Sequence, residues 1–144
     1  MDTLAGRSVL ITGAARRIGA ALARGFHAEG ANVCIHFHRS APEAEQLRDE
    51  LNRVRSGSAL LISADLLDLQ ALPALVEQTI ETFGRLDVLI NNASTFYPTP
   101  LGKITLGNWD DLIGTNLRAP LFLAQAAADA LRSSRGLILN LIDI

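Results

Sequence analysis

With 144 residues the sequence is the size of one domain and long enough to bury a core, and its 49% apolar and 19% charged residues exclude a disordered chain. Its 13 Lys and Arg against 15 Asp and Glu give a formal net charge of −2 with no basic block, which disfavours nucleic acid as a partner. Cys34 is the single cysteine, so neither an intrachain disulfide nor a thiolate metal site is available, and no apolar run reaches the length of a membrane span.

The first residues lack a basic region leading into an apolar stretch, so a reducing, cytoplasmic setting is expected, with Cys34 a small buried side chain. Residues 9–12 form the first expected strand, and 18–29 the first helix, stopped by Gly30. Residues 31–37 follow as a strand. Ser40, Pro42 and Glu43 then have the spacing of a helix start, with Ser40 as N-cap, opening a helix to about residue 55. A third strand spans 58–63. Asp68 is placed to cap the next helix, with Leu69, Leu72, Leu75, Val76 and Ile80 on one face and Gly84 at its end. A fourth strand at 86–90, a long helix at 110–131 and a fifth strand at 136–142 complete the pattern. Strand and helix alternating in this way predict a doubly wound, mostly parallel sheet covered on both faces. Such a sheet binds its ligand at the carboxyl ends of the strands, here residues 12–19, 36–40, 63–66, 91–97 and 140–144.

The first of these, Thr12-Gly13-Ala14-Ala15-Arg16-Arg17-Ile18-Gly19, joins a strand to a helix. Small residues there let a ligand approach the backbone, and helix-start amides attract anions such as a pyrophosphate; an ordinary tight turn is the alternative. The second, His36-Phe37-His38-Arg39-Ser40, offers a guanidinium, a hydroxyl and two imidazoles where an NAD site commonly has an acid. Those groups suit a ribose 2′-phosphate, or form a solvated loop. A metal on His36 and His38 lacks a third ligand nearby, so none is expected, and His27 is structural or exposed.

Asp65 either accepts from an adenine amino group or caps the following helix. Asn91 and Asn92 either tie strand ends together or face a cofactor. Phe96 and Tyr97 either pack under their loop or stack on a flat heteroaromatic substrate. Asn116 can divert a helix hydrogen bond and bend the long helix, or be merely exposed. Asp143 follows a buried strand; desolvated, its pKa would rise towards that of a proton donor, and in water it would be a plain aspartate.

Taken together, Thr12-Gly13-x-x-x-Arg17-Ile18-Gly19, Asp65, Asn91-Asn92-Ala93 and Asn116 resemble the motifs of the short-chain dehydrogenase/reductase family over essentially the whole chain. Arg17 stands where that pattern has a middle glycine, and Ser94 where its asparagine motif ends in glycine. With His36-Phe37-His38-Arg39-Ser40, the stretch Ser94-Thr95-Phe96-Tyr97-Pro98 and Asp143, these departures are similar to the family's pteridine reductases.

The resemblance implies a Rossmann-like fold and an NADPH-dependent reductase of pterins, with dihydropterin and folate forms as candidates. Gly13, Arg17, Ile18 and Gly19 would border the pyrophosphate, Arg17 also reaching the pterin. His36, Phe37, His38, Arg39 and Ser40 would hold the adenosine end, and Asp65 and Leu66 would border the adenine. Asn92, Ala93 and Ser94 would line the cofactor, with Ser94 also near substrate, and Phe96 would stack on the pterin. Asp143 and Asn116 would be the catalytic residues present. The family's catalytic Tyr-x-x-x-Lys is missing, because Tyr97 and Lys103 are the only tyrosine and lysine. Residues 1–144 are therefore expected to be the N-terminal, NADP-binding part of a longer single-domain reductase, catalytically incomplete alone, with its fifth strand unpaired on the outer edge. Helix 110–131 resembles the family's subunit-contact helix, which implies a homo-oligomer, a tetramer. A ketone or enoyl reductase and a simple nucleotide-binding module are the rival readings.

Overall fold

The structure, a computed structural model, describes residues 4–142. Its elements alternate as expected: β1 (Ser8–Ile11), α1 (Arg17–Ala28), β2 (Asn32–Phe37), α2 (Ala41–Val54), β3 (Ala59–Ser63), α3 (Leu72–Phe83) and β4 (Val88–Asn91). Then come α4 (Leu106–Ile113), a π-helical segment (Gly114–Arg118), α5 (Ala119–Ser134) and β5 (Leu137–Asn140). All strand pairs are parallel, in the order β3-β2-β1-β4-β5. The chain runs outward from β1 to β3 and then crosses back to β4, so β1 and β4 flank the point where the winding reverses. In such a Rossmann-like sheet that crevice is the ligand position.

Two-residue periodicity divides the core. Val9, Ile11, Val33 and Ile35 face a layer with Ala20, Ala23, Leu47 and Leu51, from α1 and α2. Leu10, Cys34 and Leu89 face the opposite layer, where Leu75, Val76, Leu123 and Leu131 pack from α3 and α5. Each fully buried Leu, Ile or Val contributes about 1.5–3 kcal/mol, so both faces of the central strands must be covered. Burial pushes the Cys34 thiol up to about 12, which fits an inert packing group. His27 is likewise structural: it is buried against the Ser58 hydroxyl at 2.7 Å, and desolvation with the nearby Arg55 charge lowers its pKa.

Two helix starts and one cap differ from expectation for local reasons. Asp68 does not cap α3; its Oδ1 accepts from the Gln70 N–H in a turn, and the helix starts at Leu72 with Pro73 in its first turn. Ser40 does occupy the N-cap of α2, but its hydroxyl makes no capping bond. The long helix begins earlier, because Thr105 and Asn108 form a reciprocal capping box. Gly84, at φ 77°, ends α3 as expected, and β5 lies at the outer edge of the described sheet with exposed residues.

At the opposite end of the sheet from the crevice, Asp87 is 1% exposed and ties β1 to β4. Its carboxylate accepts from Arg85 at 2.6 and 2.7 Å, from Arg7 at 3.0 Å and from the Ser8 N–H at 2.9 Å. Burial alone would push this carboxyl upward; the Arg85 guanidinium, the Ser8 N–H and Arg7 outweigh it and hold the group below its usual range. A depressed folded-state pKa contributes stability that is present above about pH 4 and lost as pH falls through the folded value. Urea unfolding of Asp87→Ala should show a loss of about 2–3 kcal/mol at pH 7 and a flatter acid limb than the wild type. An acid limb identical to the wild type would assign that sensitivity elsewhere.

Candidate functional site

Thr12, just past β1, is saturated as a hydrogen-bonding group. Its hydroxyl accepts from the N–H groups of Asn92 and Ala93, both at 3.0 Å, and donates to the Ile90 carbonyl at 3.4 Å. The Asn92 amide answers by donating to the carbonyls of Thr12 and Gly13, at 2.9 and 3.0 Å. This clasp joins the exits of β1 and β4 and leaves no room for a side chain at Gly13 or Gly19. A Cβ on Gly13, at φ 61°, would lie 3.0 Å from Ala93 Cα, and one on Gly19 would lie 2.4 Å from the Gly13 carbonyl oxygen. Arg16, the N-cap of α1, makes no side-chain cap bond, so no side chain from that position competes for the first-turn amides. Ile18 is exposed beside them. A dinucleotide pyrophosphate fits these features: close backbone approach, uncapped amides and a positive helix end.

Arg17 carries a backbone cost. Its φ of 53° lies in the left-handed region, where a non-glycine residue is disfavoured by about 1–2 kcal/mol. The chain therefore keeps the glycine geometry while replacing the glycine.

From β2, His36 turns inward. Gly13 N–H donates to its Nδ1 at 3.1 Å, and its Nε2 lies 3.0 Å from the Ala64 carbonyl. Phe37 packs on the α1–α2 core layer, whereas His38 and Arg39 are exposed. After β3, Asp65 stays exposed with Oδ1 accepting from the Leu67 N–H at 2.9 Å, and Leu66 is buried. Asp65 does not cap a helix: its bond to Leu67 closes a turn, and α3 begins only at Leu72.

Asn91, at the end of β4, ties strand ends as one reading held: its Nδ2 donates to Asn140 Oδ1 at 2.8 Å. Its own Oδ1 is buried without a hydrogen-bond partner among the described residues. Asn116 sits inside the π segment that interrupts the long helix, and its amide takes both polar groups of one residue. Oδ1 accepts from Thr95 N–H at 3.0 Å and Nδ2 donates to the Thr95 carbonyl at 2.7 Å. The extra residue of a π turn aims that side chain at the β4 loop. Phe96 beyond it is 83% exposed, and the Tyr97 hydroxyl accepts from Asn108 at 3.5 Å.

A cavity of about 430 Å³ unites most of these strand ends, lined by Gly13, His36, His38, Arg39, Asp65, Leu66, Ala93 and Ser94 together with Leu67, Thr95, Asp111 and Thr115. Arg17, Ile18, Gly19, Ser40, Asn92 and Phe96 are not among its lining residues. Asp143 lies outside the described residues. Sequence reasoning missed Asp111 and Thr115; their i, i+4 spacing, continued by Asn116, is the signal that the start of the long helix turns one face to the strand ends. It also missed Asn140 as the partner of Asn91. Among the described residues no group of three or more His, Cys, Asp or Glu is placed to hold a metal ion, and no helix is long and apolar enough to cross a membrane.

A doubly wound parallel sheet with a glycine turn at its reversal point defines an α/β chain of the dinucleotide-binding type. More particularly, this chain belongs to the short-chain dehydrogenase family, whose model matches residues 7–142. Pteridine reductase 1 of Leishmania tarentolae is 39% identical over 93% of this chain and 60% of its own length. A 3-oxoacyl-[acyl-carrier-protein] reductase of Staphylococcus aureus is 33% identical over 96% of this chain and 56% of its own. A hydroxynaphthalene reductase of Aspergillus fumigatus is 31% identical over 94% and 50%. The chain thus spans 50–60% of the length of these curated relatives.

The clasp makes a direct stability prediction. Thr12→Val keeps the shape but strands two amide donors, and should cost about 2–3 kcal/mol in chemical denaturation, while Thr12→Ser retains most of the stability. Equal midpoints for wild type and Thr12→Val would show that the hydroxyl does not hold the strand ends.

Proposed function

We propose that residues 1–144 form the N-terminal, NADP-binding part of an NADPH-dependent pteridine reductase that reduces biopterin, dihydropterin or dihydrofolate by hydride transfer. The observation that carries this reading is the exit of β2, where exposed His38 and Arg39 line the cavity and no carboxylate follows the strand. A 2′-phosphate suits the Arg39 guanidinium with the His38 imidazole beside it, whereas a bare 2′-hydroxyl would leave the guanidinium unanswered. The 39% identity to a pteridine reductase supports the pterin assignment.

In this reading NADPH, when bound, supplies the hydride, and the chain binds, orients and protonates. Gly13 and Gly19 admit the pyrophosphate to the amides of α1, with Arg17 and Ile18 beside it. His38, Arg39 and Ser40 hold the phosphorylated ribose, its hydroxyl being free of capping duty. Phe37 backs the strand end, Asp65 and Leu66 border the adenine, and Asn92, Ala93 and Ser94 line the cofactor along the β4 exit. Asn116 fixes Thr95, and so carries Phe96, whose exposed ring offers a stacking face for the pterin. Asp143 donates protons. Exposed Leu106, Trp109, Leu117, Leu121 and Phe122 along α4, the π segment and α5 support a homo-oligomer, a tetramer, and the single buried cysteine supports a cytoplasmic setting.

Full-length protein that binds NADPH should oxidise it in the presence of dihydrobiopterin or dihydrofolate. Turnover confined to ketone, enoyl or 3-oxoacyl substrates would replace this reading with the one that the 33% identity to a 3-oxoacyl reductase favours. Arg39→Ala should weaken NADPH binding by about tenfold or more and leave NADH nearly unchanged. An equal loss for both would sink the 2′-phosphate assignment. Arg17→Gly removes the left-handed strain, so it should hold or raise thermal stability while pterin turnover falls. A variant that is less stable and fully active would make Arg17 a structural residue.

A further inference from the structure

His36 is 2% exposed, and its two ring nitrogens face groups of opposite kind. An amide N–H can only donate, so Nδ1, which receives the Gly13 N–H, carries no proton. A carbonyl can only accept, so the ring proton sits on Nε2 and is donated to Ala64. The same residue's backbone carbonyl accepts from the Ala14 N–H at 2.9 Å, and the next carbonyl, of Phe37, accepts from the Ala64 N–H at 3.1 Å. One residue therefore holds the Gly13 turn on one side and the exit of β3 on the other.

We propose that His36 is a positioning residue for the nucleotide: its neutral, Nε2-protonated ring sets the conformation of the Gly13 turn, and protonation at Nδ1 in mild acid releases the Gly13 amide and weakens binding there. The proposal rests on the reading of residues 12–19 as the pyrophosphate turn. The titratable groups facing the ring are His38, from the exit of its own strand, and Asp65, from the loop after β3. The side facing β1 contributes the backbone amides of Gly13 and Ala14. Arg39, after β2, and Asp111, from α4, line the same cavity.

Desolvation is the main influence on the ring and lowers its pKa; the Ala64 bond opposes it, His38 adds to it and Asp65 opposes it, leaving the net shift downward. With the folded-state value below the ordinary 6.5 or so, the neutral ring's contribution is complete above that pH and is lost as pH falls through the folded value. His38 lines the same cavity in the wild type and in every variant at position 36. The His36 effect is therefore a difference between proteins that share His38.

Asparagine at position 36 keeps an acceptor near the place of Nδ1 and does not titrate; leucine removes the acceptor. In full-length protein without nucleotide, nitrogen-edited NMR of the ring should give the Nε2–H tautomer and a pKa below 6.5 or so. NADP⁺ titrations between pH 8 and pH 5 should show His36→Asn within about threefold of wild type at pH 8, without the extra loss of about tenfold that wild type suffers in acid. His36→Leu should be about tenfold weaker throughout. An Nδ1–H tautomer, or identical pH profiles for wild type and His36→Asn, would overturn the proposal. A wild type that binds no NADP⁺ at pH 8 would instead overturn the pyrophosphate reading and the binding half of this proposal, while the ring tautomer still decides what sets the turn.

Discussion

The hydroxyl of Thr12 commits its one proton to β4 and both lone pairs to the residues just past it, and the site is arranged around that contact. Parallel strands pair along their length, but nothing in the ladder specifies how two neighbouring strands part at their carboxyl ends. Here the parting is set by Thr12 and Asn92, each holding the other's backbone. Once it is set, the turn can admit only glycine at positions 13 and 19, because a Cβ at either would press on the β4 exit or the turn itself.

A second layer of control reaches the same strand ends from the far side of the sheet. The π segment places Asn116 on the backbone of Thr95, so the loop after β4 is held between Thr12 at its root and the long helix further out. His36 does the equivalent for β2 and β3. Arg17, by contrast, is held in a conformation its side chain resists, at a turn where glycine would be comfortable. The Asp87 cluster at the other end of the sheet ties β1 to β4 through a buried carboxylate.

Most of the architecture was legible in the chain itself, because apolar runs such as Val9-Leu10-Ile11 and Val88-Leu89-Ile90, alternating with amphipathic helical stretches, suit strands buried on both faces of a parallel sheet. The strand ends were legible for the same reason: Gly13, His38, Arg39, Asp65 and Ser94 stand where buried strands stop. What escaped were choices between equal partners. Asp68 could cap a helix or close a turn, and the proline at position 73 decided it. His36 reads as a polar residue at a ligand site, yet its ring is committed to Gly13 and Ala64, contacts that exist only once three strands are assembled. Asp111 and Thr115 join the cavity because a helix distant in sequence is brought across it. A pattern of single residues carries no sign of such meetings.

The most direct test is a crystal structure of the full-length protein with NADP⁺. The account predicts the pyrophosphate against the first turn of α1 between Gly13 and Gly19, with the 2′-phosphate at His38 and Arg39 and the Thr12–Asn92 clasp unchanged. A nucleotide seated elsewhere, for example in the cleft between α3 and α5 lined by Leu72 and Phe122, or a ribose phosphate turned away from Arg39, would contradict it.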